Sequence, residues 1–79
     1  MTTREAIFAA IDRERAYQDH KWGANRRLDT QMWLSILSAE LGEAWRDWIK
    51  GNPDRARAEI LQVAAVAVAT LESLGLEER

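Results

Sequence analysis

The chain has 79 residues, no cysteine, and a formal charge of −2 from eleven Lys and Arg against thirteen Asp and Glu. So short a chain forms one domain, residues 1–79, and buries only about 60–65% of its unfolded surface when it folds alone, so help from a partner chain is expected. The mixed charge excludes a global field for nucleic acid or an anionic membrane, the missing cysteine excludes disulfides, thiolate metal sites and a cysteine nucleophile, and no run approaches the ~18 apolar residues of a membrane span.

With 47% hydrophobic and 30% charged residues the composition is that of a folded globular chain. The opening "MTTREAIFAAIDRER" lacks the unbroken apolar core of a signal peptide, which points to a cytoplasmic protein. Any anionic ligand must be held by a local cluster of cations.

Thr2 followed three residues later by Glu5 is a capping-box pattern, so a first helix is predicted to start there. Its apolar stripe, Ile7, Phe8, Ile11, Arg15 and Tyr17 or Gln18, fades toward "DHKWGANRRLD", and residues 21–29 are predicted to be a loop. Asp29 or Thr30 can cap a second helix running to about Lys50, with Trp33, Leu37, Leu41, Ala44 and Trp48 recurring at steps of three and four. Gly51 is a natural stop, and Asn52, Pro53 and Asp54 then supply an N-cap, a first-turn proline and an acid matched to the helix dipole. So short a turn favours an antiparallel hairpin. The third helix should end near Gly75 and is apolar around most of its circumference from Ile60 onward, more than a three-helix monomer can cover. The expected fold is therefore all-α: a three-helix subunit with an antiparallel hairpin of helices two and three, its bundle completed by oligomerisation.

At 100° per residue, Glu40 falls at the edge of the second helix's apolar stripe, and Glu43 and Asp47 follow it on the same flank. Three such carboxylates repel one another unless solvent, salt bridges or cations offset the charge. The third helix carries Glu59 and Gln62, again three apart, and packing of the two helices can set the pairs face to face. Carboxylates projecting inward from neighbouring helices are how bundles build sites for hard cations, and oxygen ligands at ~2.0–2.1 Å suit Mg²⁺. Acidic residues at helical spacing are more commonly a solvated face, so it is the pairing across two helices that gives this pattern weight.

"AELGEAWRDW", then "EILQVAAVAVATLE", with "ERAYQDHKWG" upstream, resembles the MazG-type all-α nucleoside triphosphate pyrophosphohydrolases, a family that includes the dCTP and dimeric dUTP pyrophosphatases. The resemblance spans roughly residues 5–74. The family pattern is Glu-x-x-Glu on one helix and Glu-x-x-Asp on the next. It implies Glu40, Glu43 and Glu59 as the catalytic, Mg²⁺-holding carboxylates of a homodimer or dimer of dimers. Water would attack the α-phosphate of a nucleoside triphosphate, releasing a monophosphate and pyrophosphate. Gln62 stands where the family has aspartate, and Ala39 where many members have a further glutamate. An amide offers a cation a neutral oxygen but neither charge nor a base, so Gln62 as a metal ligand implies weakened binding.

For the triphosphate, Lys21, Arg26, Arg27, Arg46 and Lys50 are the available cations, and the sequence does not choose among them. Of four tryptophans, Trp33 and Trp48 fit the core stripe, Trp45 suits a subunit contact as readily as a ligand, and Trp22, beside His20 and Lys21, is the candidate for a base or ribose contact. His20 can equally cap the end of the first helix. The competing reading, motivated by Gln62 and the short chain, is a non-catalytic helical protein of the same type that binds a nucleotide or a protein partner. DNA binding, suggested by Arg55 and Arg57, is disfavoured because phosphate neutralisation needs a basic surface.

Overall fold

The computed structural model describes all 79 residues as three helices with no strand: α1 (Thr3–Trp22), α2 (Thr30–Ile49) and α3 (Pro53–Leu74). No helix is long and apolar enough to cross a membrane.

Local chemistry accounts for the helix ends. Thr2 Oγ1 accepts from the Glu5 amide at 3.1 Å while Glu5 Oε1 accepts from the Thr2 amide at 3.0 Å, so the capping box is complete. Those two bonds also hold the Glu5 carboxyl below the usual glutamate range. Asp29 Oδ1 accepts from the Met32 amide at 2.8 Å and caps α2. At the other end of α2, the Gly51 amide bonds the Trp48 carbonyl and the Asn52 amide bonds the Asp47 carbonyl, the two bonds of a Schellman turn. That turn needs a left-handed residue after the cap, and Gly51 supplies it at φ 82°.

Two boundary details differ from expectation. The predicted loop at 21–29 is shorter, because α1 continues through Lys21 and Trp22 and stops at Gly23. His20 and Lys21 in the last turn complement the helix dipole and favour that extension. Asn52 occupies the N-cap position of α3, but its side chain makes no capping hydrogen bond, so Pro53 and Asp54 carry the helix start.

α3 is the central element: it packs against both α2 and α1, whereas α1 and α2 share no such packing. Along α2 and α3, Asp47 pairs with Arg55, Glu43 lies beside Glu59, and Trp33 clusters with Val66 and Ala69. Trp33 is 1% exposed and is the one large side chain that is fully buried. Leu28, Ile36 and Leu37 complete its surroundings. The remaining buried apolar residues are small, Ala44, Ala56 and Ala65, which let the helices approach closely. α1 is tied down by Arg15, whose guanidinium donates to Glu72 of α3 at 2.7 and 3.0 Å, to Asp19 at 2.8 Å and to Gln18 at 3.2 Å.

The predicted stripes are covered only in part. On α1 it is Gln18 that is buried, while Ile7, Phe8 and Tyr17 are exposed, since α1 meets a single neighbour. On α2, Leu41 and Trp48 are exposed; Trp48 is a surface residue where core packing was expected. On α3, Ile60, Leu71 and Leu74 stand in solvent. The accessible surface, 6246 Å², exceeds by roughly 1,400 Å² what a compact 9.0 kDa monomer exposes. The radius of gyration, 13.3 Å, is likewise above the roughly 11.6 Å of a compact chain of this length.

Candidate metal centre

Glu40 and Glu43 lie one turn apart on α2, so their side chains project in nearly the same direction, and α3 brings Glu59 against them. One carboxylate oxygen from each of the three lies within 4.8 Å of the others. Oxygens opposite each other around Mg²⁺ are separated by about 4.2 Å, and around Ca²⁺ by about 4.8 Å. At most one pair of the three can be opposite, and adjacent oxygens around Mg²⁺ stand only about 3.0 Å apart, so the three reach one hard cation only after their side chains close in.

The electrostatics point the same way. Burial first, then the Glu43 and Glu14 carboxylates, push the Glu40 carboxyl up, with Lys21 opposing. Glu59 is also pushed up, by burial, by Glu43 through charge and through a hydrogen bond that needs a proton on one of the two groups, and by Glu40 and Asp47. In the fully ionised cluster Glu40 Oε2 and Glu59 Oε2 are buried with no hydrogen-bond partner. Buried, unpartnered, mutually repelling carboxylate oxygens are costly, and either protons or a cation relieve that cost. The third member of the α2 flank, Asp47, is drawn instead toward Arg55 at 3.8 Å.

A cavity of about 270 Å³ opens beside Glu40 between α1, α2 and α3. Gln62, Lys21 and Trp22, all singled out from sequence, line it, together with Arg26 from the α1–α2 connection. Lys21 Nζ sits 4.8 Å from the centre of the Trp22 ring, a cation–π contact that holds both side chains on one side of the cavity.

The other four candidate contacts, His20, Arg27, Arg46 and Lys50, do not line this cavity. His20 is exposed in the last turn of α1. Arg46 folds back along its own helix, its Nη1 3.5 Å from where a Cβ on Gly42 would stand. Lys50 is the C-cap of α2, about 15 Å along the axis from Glu40. Arg26, one of the five candidate cations, belongs to the cavity wall, as do Glu14 and Gln18, which were not singled out as ligands from sequence. Glu14, Gln18 and Lys21 stand at i, i+4 and i+7 on α1, a polar face that helical spacing could have revealed.

Trp45 and Trp48 stand apart from this site. With Leu41, Ile60, Pro53 and Ala56 they line an apolar groove of about 340 Å³ near the α2–α3 turn. No family model matches the chain, and no curated protein or solved structure matches it.

Proposed function

We propose that this chain is a Mg²⁺-dependent nucleoside triphosphate pyrophosphohydrolase of the house-cleaning type, working in the cytoplasm as a homo-oligomer. The observation that carries the reading is the Glu40–Glu43–Glu59 cluster, three converging carboxylates with two orphaned oxygens, beside a cavity that offers cations and an aromatic face. Glu40, Glu43 and Glu59 would hold the metal, and Gln62 adds a neutral amide oxygen at the cavity wall. When bound, Mg²⁺ supplies charge to phosphoryl oxygens and lowers the pKa of a water ligand. Lys21 and Arg26, which line the cavity, would receive phosphate charge, and Trp22 would offer its ring to a base or ribose. One of the same glutamates would accept the proton of the attacking water.

The helical hairpin belongs to the same reading. The falling register Trp33 to Val66, Glu43 to Glu59 and Asp47 to Arg55 supports antiparallel helices joined by residues 50–52. Surplus surface supports the oligomer: roughly 1,400 Å² is more than the ~800 Å² that each partner buries in a standard interface. The Trp45–Trp48 groove is the apolar face a second copy would cover.

A second reading rests on Gln62, which brings no charge to the cavity: a non-catalytic protein of this type that binds a nucleotide or a protein partner. One experiment separates the two. Mg²⁺ and the common nucleoside triphosphates are titrated by calorimetry while pyrophosphate release is followed. Under the hydrolase reading Mg²⁺ binds, pyrophosphate appears, and Glu43→Gln abolishes both with the helical content unchanged. Gln62→Asp then tightens Mg²⁺ binding. Nucleotide binding without turnover of any triphosphate sinks the hydrolase and leaves the binding protein; weaker Mg²⁺ binding in Gln62→Asp makes the amide a specialised ligand.

A further inference from the structure

We propose that a second, smaller pocket, between the α1–α2 connection and the C-terminal turns of α3, is a binding site for a phosphate-like tetrahedral oxyanion. Asn25, Arg26 and Arg27 form one wall, Ser73 of α3 the other, and Arg15 and Trp33 lie behind. Its cavity of about 70 Å³ has room for several waters, which suits one small anion and excludes a nucleobase.

The charge of the pocket comes from the arginines that have no partner. Arg15 is committed to Asp19 and Glu72, both within 2.8 Å. Arg26 and Arg27 take part in none of the ion pairs of the chain, so two uncommitted arginines line a pocket in which Asp19 and Glu72 each bind Arg15 through one oxygen. Arg26 lies over the Trp33 ring, 5.1 Å from its centre, which fixes a long side chain that would otherwise sweep through solvent. Asn25 holds a left-handed backbone at φ 61° that turns the connection back toward α3.

The lining holds three arginines against the two carboxylates of Asp19 and Glu72, together with the Asn25 amide and the Ser73 hydroxyl. That surplus of cationic donors is the chemistry that favours an oxyanion.

Arg26 and Gln18 also line the Glu40 cavity, so the two pockets share a wall. The anion can therefore be free phosphate or the terminal phosphoryl group of a nucleotide lodged next door. The inference does not depend on metal binding, and the test is made without metal. Inorganic phosphate is titrated into the Mg²⁺-free, ¹⁵N-labelled chain, followed by a nucleoside triphosphate in a separate sample. Saturable shifts of the Asn25, Arg26, Arg27 and Ser73 amides are expected, weakened tenfold or more, about the worth of one charge-assisted hydrogen bond, in Arg27→Ala. Arg27 is exposed, so its removal leaves the fold intact. Glu43→Gln, which dismantles the metal site, leaves phosphate binding unchanged, so failure there does not touch this pocket. Shifts with inorganic phosphate identify a free-anion site, and shifts with the triphosphate alone identify a seat for its terminal group. No shift with either, or shifts that persist in Arg27→Ala, overturn the proposal.

Discussion

The two ends of the α2–α3 pair are made of the same kinds of residue and end up in opposite states. At one end Trp33 is enclosed by Val66, Ala69, Leu28, Ile36 and Leu37, and α1 is fastened nearby through Arg15 and Glu72. At the other, Trp45 and Trp48 line an open groove and are 60% and 59% exposed. Both Trp33 and Trp48 lie on the apolar stripe of one helix. What separates them is cover, since neither α1 nor the α1–α2 connection reaches the groove. The Glu40–Glu43–Glu59 cluster sits between the packed end and the open end, where carboxylates are partly desolvated without being sealed from a ligand.

Truncating each tryptophan breaks the comparison. Trp33→Ala removes the largest enclosed side chain and should cost about 3–5 kcal/mol, a large share of the stability of a small domain. A fall in the urea midpoint, with unchanged dependence on denaturant, measures it. Trp48→Ala should leave the helical content of the subunit intact and act on association instead. A buried aromatic anchor is worth about 2 kcal/mol or more, and each copy would lose one, so the dissociation constant of the proposed dimer should rise at least about 30-fold, as read by sedimentation velocity. A chain that stays monomeric at all concentrations, or a Trp48→Ala dimer as tight as the original, removes the second copy from the groove.

The region between the two ends gives the smallest effect and the clearest sign. The Glu40 and Glu59 carboxyls are raised in the folded chain, so it binds more protons than the unfolded chain in the interval above the ordinary glutamate value of 4.5. Their contribution to stability is therefore greatest below that value and declines as pH rises through the raised values. Without metal, Glu40→Gln should be more stable than the original chain at pH 7 and less dependent on pH across that interval. With saturating Mg²⁺ the order should reverse, because only the original chain gains the binding energy, about 2.7 kcal/mol at a hundredfold excess over Kd. Thermal unfolding with and without Mg²⁺ at several pH values checks both orders. Equal stability without metal would mean that the carboxylates bear no strain.

The capping box at Thr2 and Glu5, the Asp29 cap, the Gly51 stop and the three-helix content were legible in the sequence, because each depends on residues within about one turn. So was the meeting of Glu40 and Glu43 with Glu59, which follows from helical phase once two helices are joined by a short turn. The extra turn that carries Lys21 and Trp22 was not, since mixed charge before a glycine is compatible with loop or helix until the tail of α1 finds a neighbour.

By itself, then, the sequence determined where helices start and stop and which residues share a face, for those are short-range matters of hydrogen bonding and 3.6-residue periodicity. The tertiary structure alone decided which faces are covered. It buried Trp33 and left Trp48 open, put Gln18 rather than Tyr17 inside, gathered Lys21, Trp22, Arg26 and Gln62 around one cavity, and kept His20, Arg46 and Lys50 away from it. Periodicity marks an apolar or polar stripe, but burial and ligand geometry depend on which distant segment comes to lie against it.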